Sequence, residues 1–386
     1  MTAPDVGSIA RQFDLRGDIE SIAPLPGGHI NDSYQVTVRG AGGGPGEPTR
    51  YLLQRLNTLV FPRPDHVMEN VSHVTRHLAV RLANEDHPDW RRRTLVLVPT
   101  RDGADWLVSP DGGYWRSFPF IEGVVTLEHV RGPDAARSAG LAFGEFLRLI
   151  SDYAGPPLHD VLPGFHDPVA HYERLEAAVR RDAARRAAGA RPEIIALMSV
   201  RGLVEQLPPR VAAGELPRRI VHNDAKLANV LLDAVTGAPL CVVDLDTVMP
   251  GLVLYDFGDL VRSATSPTAE DDEDLSRVGV RRPLFEALAQ GFLDAVGGTL
   301  RTTERALLVY GAQLIILEQA IRFLTDYLEG DRYYRITRPE HNLIRCRAQF
   351  KLFTTVTEAR AELESLLAAA GSHTVEGGSP ISERTS

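Results

Sequence analysis

The sequence predicts an α+β fold with a small β-rich N-terminal lobe and a larger, mainly helical C-terminal lobe. Period-two alternation and glycine turns fill residues 1–117, whereas helical periodicity dominates 124–370. One stretch of the helical part is different: "RIVHNDAKLANVLLDAVTGAPLCVVDLDTVMPG" (219–251) places two apolar runs beside a cluster of polar residues. Charges set against the most apolar segments need a reason, and a functional site is one.

The N-terminal lobe is predicted to contain five strands and one helix. In "IAPLPGGHINDSYQVTVRG" a glycine turn joins two strands, and the second alternates Tyr34, Val36 and Val38 with polar residues. The third, fourth and fifth strands are "RYLLQRLNT", "TLVLVPT" and "YWRSFPFIEG". An amphipathic helix over 65–84 is predicted from apolar residues at helical spacing, namely Val67, Val71, Val74, Leu78 and Leu82.

The C-terminal lobe follows a hinge at 118–123 and is predicted to span 124–370. Helical patterns cover 134–151, 168–188, 192–207, 282–296 and 303–328. The last pattern contains the longest apolar run, "ALLVYGAQLIILEQAIRFL", whose polar interruptions indicate a buried helix rather than a membrane span. The polar segment 371–386 is expected to be disordered.

Composition indicates an ordinary soluble globular protein and argues against several kinds of partner. The 386 residues are 44% hydrophobic and 24% charged, and the net charge of −9 argues against non-specific nucleic-acid binding. Two cysteines, Cys241 and Cys346, give no disulfide framework, which fits a reducing cytoplasm. The start, "MTAPDVGSIARQFDLRGDIE", lacks the apolar core of a signal peptide, so a cytoplasmic location without a membrane partner is expected. The oligomeric state is left open, with a monomer slightly favoured.

The segment 219–251 is predicted to form a hairpin whose open end carries the polar residues. If Val230–Asp233 and Leu240–Val243 pair around a symmetric "AVTGAP" turn, Asn229 lies opposite Asp244. Side chains that are directly opposed across such a pair lie ~5 Å apart. This register requires a turn without a bulge, because one extra residue would shift it.

The polar residues of this hairpin have the chemistry of phosphoryl transfer. Asn229 and Asp244 offer an amide oxygen and a carboxylate, which suit Mg²⁺. Asp224 could accept a proton from an attacking hydroxyl, and Lys226 could offset charge on a transferring phosphoryl group. The spacing Asp-x-Lys-x-x-Asn, followed by an apolar run and Asp, is that of protein kinases. The sequence therefore predicts a protein-kinase-like fold that uses ATP and Mg²⁺; a capping Asp224 and a solvated Asp244 are the structural alternative.

The N-terminal lobe offers a candidate lid over the phosphates of a nucleotide. "PGGHIND" lies between the first two strands, where Gly27 and Gly28 permit close approach of the backbone. An ordinary hairpin turn is the alternative. His29, Asn31 and Asp32 are unusually polar for a turn and are candidates to reach the substrate instead.

This lobe is also expected to supply a cation for the phosphates and a hinge for the adenine. Gln54 and Arg55 of the third strand point to opposite faces, so only one of them can face the cleft. Arg55 is favoured because it keeps a charge. "SFPFIEG" is the candidate hinge, where Phe120 to Glu122 would meet the adenine with backbone groups, and an apolar strand end is the alternative.

Six segments spread from residue 27 to residue 334 carry a family resemblance: "GGHINDSYQV", "LLQRLNTLVF", "VHNDAKLANVLLD", "CVVDLDTVMPG", "LYDFGDLVR" and "IRFLTDYLEGDRYY". Together they resemble the aminoglycoside-phosphotransferase-like kinases, and more narrowly the N-acetylhexosamine 1-kinases. The strings "HNDAK", "DLDTVMPG" and "RFLTDYLEGD" are the most specific. The resemblance implies transfer of the γ-phosphate of ATP to the anomeric hydroxyl of GlcNAc or GalNAc.

The resemblance also implies roles for individual residues. Asp224 would be the base, Asn229 and Asp244 would be Mg²⁺ ligands, and Asp246 would be a further ligand or a support. The sugar pocket would include Arg322, Tyr327 and Tyr333, with helix packing as the alternative for that segment. Ala225 departs from the family, in which a hydroxyl residue is common at this position.

Two rival functions stay open on the same residues. The first is the same fold acting on another small alcohol, such as homoserine, choline, an aminoglycoside or another hexose. An aminoglycoside would require a strongly acidic pocket to pair its ammonium groups. The second is an inactive kinase fold that binds a nucleotide, which the intact set Asp224, Asn229 and Asp244 argues against. The preferences for sugar and nucleotide are not predicted.

Overall fold

The computed structural model of the protein describes residues 5–26, 30–40, 48–85 and 89–372. The chain divides into two units. The first unit combines Met1–Val124, Asp152–Pro163 and Leu240–Pro250, and the second combines Val125–Ser151, Gly164–Pro239 and Gly251–Ser386. The lobe boundaries inferred from the sequence, with a hinge at 118–123, stay a prediction.

A five-stranded antiparallel sheet forms the centre of the first unit. Its strands are β1 (Asp18–Pro24), β2 (Asp32–Arg39), β3 (Thr49–Arg55), β4 (Leu107–Val108) and β5 (Tyr114–Pro119), in the order β1-β2-β3-β5-β4. One face of the sheet is apolar because alternate residues such as Val36, Leu53 and Trp115 are buried in a common core. Phe13, which follows the short helix Val6–Ala10, packs into the same core.

The fourth strand is not the one predicted. The run "TLVLVPT" (94–100) lies outside the strands and is attached at single points, such as the hydrogen bond from Val98 N to Ser117 O of 2.8 Å. Pro99 has no N–H with which to continue a ladder, so an apolar run of suitable length stays out of the sheet. Leu107–Val108 pairs with β5 instead. The predicted number of strands is right, but the predicted fourth strand is wrong.

The helix predicted over 65–84 is observed as Pro64–Asn84. Its predicted stripe is buried, as the spacing requires: Val67, Val71, Val74, Leu78 and Leu82. Pro64 suits the first turn, where its missing N–H has no helical partner to lose. A second short helix of this unit, Trp90–Arg93, is not predicted from the sequence.

Helices dominate the described part of the second unit. They are Pro133–Ile150, Pro168–Arg181, Arg191–Ser199, Leu207–Ala212, Val253–Ala264, Arg282–Val296, Thr302–Ala306, Leu308–Glu329, His341–Glu358 and Arg360–Ser372. Short strands elsewhere in the chain are Val124–Val125, Arg219–Val221, Val230–Asp233, Pro239–Val242 and Met249–Gly251. The predicted helical character of this region is therefore observed, with four helices (207–212, 253–264, 341–358 and 360–372) that the sequence pattern does not predict.

Two predicted helices are shorter than expected. The helix predicted over 168–188 ends at Arg181, because Asp182 adopts a left-handed conformation with φ of +40°. The helix predicted over 192–207 ends at Ser199 and is followed by a 3₁₀ segment, Arg201–Gln206. At the C-terminus the last helix includes the first two residues of the predicted disordered tail, and 373–386 lie outside the described residues.

The interior contains both cysteines and the longest apolar run. Cys241 and Cys346 are buried, free thiols. The long apolar run lies in the helix Leu308–Glu329, which packs in the interior of the second unit. Of the described helices, this one alone is long and apolar enough to cross a membrane by length and composition, and 83% of its apolar window is buried inside the fold.

Close packing of two helices fixes the position of Val253–Ala264, the helix that carries Asp256. Gly258 of Val253–Ala264 and Gly311 of Leu308–Glu329 lie where the two helices meet. A Cβ atom at Gly311 would lie 2.6 Å from the carbonyl oxygen of Leu254, and one at Gly258 would lie 2.5 Å from that of Gly311. The absence of side chains at these glycines is therefore a condition of the packing.

We expect Gly311→Ala to lower the free energy of unfolding. The added methyl overpacks a backbone contact at a cost of about 1–3 kcal/mol, which exceeds the helix-propensity gain of up to about 1 kcal/mol. Gly202→Ala is the matched control, since a Cβ atom there would meet nothing within 4 Å. Urea unfolding measures both variants. Equal stability of Gly311→Ala and Gly202→Ala would show that the two helices can separate without cost.

Candidate active site

A loop in the second unit, His222–Asn229, carries three of the predicted site residues and is here called the catalytic loop. Asp256, on the helix Val253–Ala264, accepts hydrogen bonds from the backbone N–H groups of His222 (2.8 Å) and Asn223 (2.7 Å). Burial raises the pKa of Asp256 to about 6, against the opposing effect of those hydrogen bonds and of nearby His222. Asn223 adopts a left-handed conformation with φ of +63°, which is uncommon for a residue with a side chain.

His222 anchors the start of this loop from inside the protein. Its ring lies edge-on to Phe143 and Phe146, with centroid distances of 5.3 and 5.8 Å. The residue is fully buried. These contacts indicate that the imidazole positions the loop rather than meeting a substrate.

Asp224 is held by two other members of the loop. The ammonium of Lys226 lies 2.7 Å from Oδ2 of Asp224. The amide nitrogen of Asn229 donates to the backbone oxygen of Asp224 at 2.8 Å and to the same Oδ2 at 3.1 Å. The other carboxylate oxygen, Oδ1, accepts no hydrogen bond from the described residues. The loop thus fixes Asp224 through one oxygen and leaves the second available as a proton acceptor.

The charge state of Asp224 follows from its surroundings. Burial by itself would raise the pKa of this carboxyl, but Lys226, His222 and Arg262 together lower it to about 2. The group is therefore a carboxylate at all physiological pH values. A carboxylate can accept a proton and cannot donate one.

The orientation of Asn229 suits a hard cation. Because its nitrogen donates to Asp224, its Oδ1 points elsewhere, and this oxygen accepts no hydrogen bond in the part of the chain that the structure describes. Among the described residues no three His, Cys, Asp or Glu side chains are grouped to hold a metal ion. The amide oxygen of Asn229 is a ligand type that Mg²⁺ accepts, because this ion takes few protein oxygens and completes its shell with phosphate oxygens and water.

The first unit contains a second polar cluster, on the sheet face opposite the apolar core. Gln54 of β3 is the register partner of both Ser33 on β2 and Arg116 on β5. Its Oε1 accepts two bonds from the Arg116 guanidinium, at 3.0 and 3.1 Å, and its Nε2 donates to Ser33 at 3.1 Å. Arg116 also forms an ion pair with Asp246, and both residues are only 2% exposed. A buried cation therefore lies beside Gln54.

Arg55 lies on the other face of the sheet. It is ion-paired with Asp111 at 2.8 Å and lies over the ring of Trp115, a member of the apolar core. Strand geometry therefore places Gln54 and Arg55 on opposite faces, as predicted. Arg55 thus lies against the apolar core, whereas Gln54 belongs to the polar cluster with Arg116, and the contact of either residue with nucleotide phosphates stays a prediction.

We expect Arg116→Met to destabilise the protein strongly, because it leaves the Asp246 carboxylate buried without a countercharge. Breaking such a pair costs about 3–5 kcal/mol. Arg55→Met removes a partly exposed pair and is expected to cost about 1 kcal/mol or less. Urea unfolding measures the loss of unfolding free energy in each variant. Equal losses would mean that the Arg116 pair is solvated in solution.

Asp244 and Asp246 differ in their surroundings although both were proposed as metal ligands. Asp246 accepts from Arg116 through Oδ1 and from the Asn31 amide through Oδ2, at 2.7 Å for the latter. Both of its oxygens are therefore used, which favours the support role for Asp246. Asp244 is half-buried and adopts a left-handed conformation with φ of +62°. Backbone strain of this kind is concentrated at functional sites.

The turn of the predicted hairpin differs from the symmetric one. Asp233 N donates to Ala238 O, while Gly237 N donates to Asp233 O, both at 2.9 Å. Gly237 has φ of +70°, so two residues oppose one in a bulge of the kind that glycine permits. The predicted register, which places Asp233 opposite Leu240, is therefore wrong at the turn. The pairing of Asn229 with Asp244 no longer follows from the register and stays a prediction.

Comparison with known protein families identifies the fold. Residues 21–307 match the model of the phosphotransferase enzyme family (APH), which is about three quarters of the chain. The chain belongs to this phosphotransferase family. The α+β, protein-kinase-like fold predicted from the sequence is thereby confirmed, with its N-terminal five-stranded sheet and larger helical region.

Solved structures of similar fold cover nearly the whole chain of this phosphotransferase. An aminoglycoside phosphotransferase from Alicyclobacillus acidocaldarius has 15% identity and a TM-score of 0.56, covering 97% of this chain and 98% of its own. Amicoumacin kinase hAmiN, in complex with AMP-PNP and Ca²⁺, has 12% identity and a TM-score of 0.57, covering 91% and 93%. A microcompartment-associated aminopropanol kinase has 15% identity and a TM-score of 0.53, covering 93% and 98%. Such low identities show the fold alone.

The predicted hinge of this phosphotransferase has several of its polar groups engaged. Phe120 N donates to Arg50 O at 3.0 Å, and the Arg50 guanidinium lies 4.6 Å from the centroid of the Phe120 ring. Glu122 forms an ion pair with Arg50, and its backbone oxygen accepts from Arg92 at 2.8 Å. Adenine contacts through the backbone of Phe120 and Glu122 stay a prediction, and these bonds would compete with them.

The predicted lid residues Gly27, Gly28 and His29 lie outside the described residues. Asn31 uses both ends of its amide, since its Nδ2 donates to Asp246 and its Oδ1 accepts from Asn57 N at 3.0 Å. These contacts favour a supporting role for Asn31. Asp32 is exposed at the first position of β2, and its substrate role stays a prediction.

The three predicted pocket residues lie in different surroundings. Arg322 is largely buried, with its guanidinium 5.0 Å from the ring centroid of Phe165 and 5.8 Å from that of Tyr333. Tyr333 is 59% exposed, so its ring is accessible. Tyr327 is buried beneath the guanidinium of Arg186, which favours the helix-packing alternative for this residue. The structure thus brings Arg322 and Tyr333 together and sets Tyr327 apart.

Arg116 and Asp256 are not among the residues predicted from the sequence to build the site. Arg116 interrupts the apolar strand "YWRSFPF", and a charge in such a strand is a signal that a buried partner exists. Asp256 lies in "LYDFGDLVR" among apolar neighbours and gives the same signal. In neither case does the pattern reveal the partner.

Proposed function

We propose that this phosphotransferase is an ATP- and Mg²⁺-dependent kinase that phosphorylates the anomeric hydroxyl of an N-acetylhexosamine, GlcNAc or GalNAc, to give the sugar 1-phosphate. The observation that carries the kinase part is the geometry of Asp224, a carboxylate held through Oδ2 with Oδ1 available. The sugar part is supported by the resemblance of "HNDAK", "DLDTVMPG" and "RFLTDYLEGD" to the N-acetylhexosamine 1-kinases.

The proposed step uses Asp224 as the proton acceptor. The anomeric oxygen of the sugar forms a bond to the γ-phosphorus while the bond from that phosphorus to the bridging oxygen of ADP breaks. The hydroxyl proton moves to Oδ1 of Asp224. A carboxylate of low pKa is sufficient, because the hydroxyl becomes acidic only as it bonds to phosphorus in a loose transition state. An anomeric hydroxyl is in addition more acidic than an ordinary alcohol.

The remaining roles concern charge. Lys226 would offset the negative charge of the transferring phosphoryl group. Asn229 and Asp244 would hold Mg²⁺, which supplies charge compensation on the phosphate oxygens when bound. Asp246 would position Asp244 from two residues away through its contacts with Arg116 and Asn31.

The ion pairs around Asp224 favour a neutral acceptor over a polycationic one. The nearby carboxylates are already paired with cations of the protein: Lys226 pairs with Asp224, Arg262 with Asp259 and Glu270, and Arg322 with Glu318. An aminoglycoside would need further carboxylates to pair its ammonium groups. The named acceptors of the structurally similar kinases, such as aminopropanol, therefore serve as the second candidate class rather than the first.

The test is phosphorus NMR on the purified protein with Mg-ATP and one acceptor at a time: GlcNAc, GalNAc, glucose, galactose, homoserine, choline and kanamycin. We expect ADP and a new phosphate signal coupled to an anomeric proton with GlcNAc or GalNAc. Methyl N-acetylglucosaminide, whose anomeric oxygen is blocked, is the matched control and should give no product. A signal with another acceptor alone would discard the sugar assignment and keep the kinase. No turnover with any acceptor would favour an inactive nucleotide-binding fold.

A further inference from the structure

His166 links the catalytic loop to the helix Leu308–Glu329 and takes no part in the proposed phosphoryl-transfer step. Its Nδ1 lies 2.9 Å from Oε1 of Glu318, and its Nε2 lies 2.8 Å from the backbone oxygen of Asn223. The side chain of His166 is 8% exposed and that of Glu318 is 3% exposed. A buried imidazole therefore bridges two groups on different elements.

Both partners of His166 are hydrogen-bond acceptors. A backbone carbonyl has no hydrogen to give, and an ionised carboxylate has none either. Glu318 is ionised, because burial, which would raise its pKa, is outweighed by neighbouring groups that lower it, among them the permanently charged guanidinium of Arg322 at 3.9 Å. Both ring nitrogens must then donate, which only the imidazolium form can do.

The residue that His166 contacts is under backbone strain. Asn223 has φ of +63° and directly precedes Asp224. Such a conformation is unfavourable for a residue with a side chain and persists only where neighbouring groups determine it. Asp256 fixes the N–H side of Asn223 and His166 fixes its carbonyl. That carbonyl belongs to the peptide that leads into Asp224, so its direction sets the direction of the Asp224 side chain.

We propose that His166, as an imidazolium, is a positioning residue that ties the Asn223–Asp224 peptide to Glu318 and so aims Oδ1 of Asp224 at the acceptor hydroxyl. Glu318 lies one helical turn from Arg322, with which it is ion-paired at 3.9 Å. The same link therefore connects the base to the helix that carries a predicted pocket residue. The kinetic part of this inference rests on the proposed kinase function.

The groups around His166 decide its response to pH. Burial would lower the pKa of His166, but Glu318 and the Asn223 carbonyl raise it above the ordinary value, with Arg322 opposing them. His171 of the helix Pro168–Arg181 lies 3.7 Å from the same Glu318 oxygen, and burial lowers its pKa, so this neighbour is neutral. The helix Val253–Ala264 contributes the Tyr255 ring, 4.6 Å from that of His166, and the carboxyl of Asp256.

The link through His166 is expected to weaken as pH rises. Because the pKa of His166 is raised, the link is complete below the ordinary imidazole value of about 6.5 and is lost as pH rises through the raised value. We expect kcat of the wild type to decline over that alkaline range. A glutamine can donate to only one of the two acceptors in this geometry, so His166→Gln should have a kcat about 10- to 100-fold lower, without that decline.

The variants are compared through kcat and KM separately. We expect His166→Gln to change the KM for Mg-ATP by less than about twofold, because the aim of the base affects the chemical step. His166→Phe, which can donate to neither acceptor, should be slower still. His171→Gln is the matched control, because His171 contacts Phe165 O at 3.0 Å and not the catalytic loop. A His166→Gln enzyme with the kcat and alkaline decline of the wild type would overturn the inference.

A second readout needs no substrate and stands even if no acceptor is phosphorylated. In protein labelled with ¹⁵N-histidine, the His166 signals are assigned by their absence from the His166→Gln spectrum. We expect both ring nitrogens of His166 to be protonated at pH 7. One unprotonated ring nitrogen at that pH would overturn the imidazolium assignment. Thermal unfolding of each variant shows whether a lower kcat comes from a displaced Asp224 side chain in a folded protein or from loss of the fold.

Discussion

Replacing Asp224 with Asn is expected to lower kcat by about 100- to 10,000-fold while Mg²⁺-dependent binding of ATP is kept. Asparagine preserves the shape of the side chain but cannot accept the hydroxyl proton. Because the pKa of Asp224 lies at about 2, the wild-type base is lost only as pH falls toward that value, so Asp224 should add no acid limb to kcat near neutral pH.

Two measurements check this expectation. Steady-state kinetics with the best acceptor gives kcat, and calorimetric titration gives the affinity for Mg-ATP. Asp134→Asn, at an exposed position in the first turn of the helix Pro133–Ile150, is the matched control and should behave as wild type. Turnover of Asp224→Asn within tenfold of wild type would remove Asp224 as the base.

Replacing Asp244 is expected to abolish the Mg²⁺-dependent part of nucleotide binding, because it removes the predicted carboxylate ligand. Asp244 has a positive φ, which Asn tolerates better than Ala, so Asp244→Asn separates the loss of charge from backbone strain. Titration with ATP in Mg²⁺ and in EDTA measures the difference in affinity. Unchanged affinity in both would remove Asp244 from the metal site.

Asp246→Asn is the informative comparison for that experiment. If Asp246 is a support, this variant should lose stability, since Arg116 then lacks a countercharge, while the dependence of affinity on Mg²⁺ is kept. The opposite pattern, with stability intact and Mg²⁺ dependence lost, would make Asp246 a ligand. The pair of variants therefore assigns the two carboxylates independently.

The parts of the site that could be predicted are those that are local in sequence. Asp224, Lys226 and Asn229 belong to one short loop, and their spacing alone identifies them. The partners of Arg116 and Asp256 could not be predicted, because Arg116 meets Asp246 across 130 residues and Asp256 meets His222 across 34. Contacts at such separations depend on tertiary packing, which periodicity does not encode.

The strands also show where hydrophobic periodicity fails to predict the structure. Pro99 kept an apolar run out of the sheet, whereas the two-residue strand Leu107–Val108 has no periodicity to detect. In the turn between Val230–Asp233 and Pro239–Val242, Gly237 introduced a bulge that shifted a register deduced from symmetry. In both cases one residue with special backbone properties outweighed the hydrophobic pattern around it.

The helix Leu308–Glu329 carries three polar residues at intervals of four: Glu318, Arg322 and Asp326. Glu318 contacts His166, and the guanidinium of Arg322 lies over the ring of Tyr333. Asp326 accepts hydrogen bonds from the backbone N–H groups of Arg332, Tyr333 and Tyr334 at 2.8 to 2.9 Å. Each residue of a helix turns the chain by about 100°. A single-codon deletion between Glu318 and Asp326 would rotate one contact away from the others, whereas most substitutions there would leave the alignment unchanged. The number of residues between Glu318 and Asp326 is therefore as important to these contacts as the identity of the residues themselves.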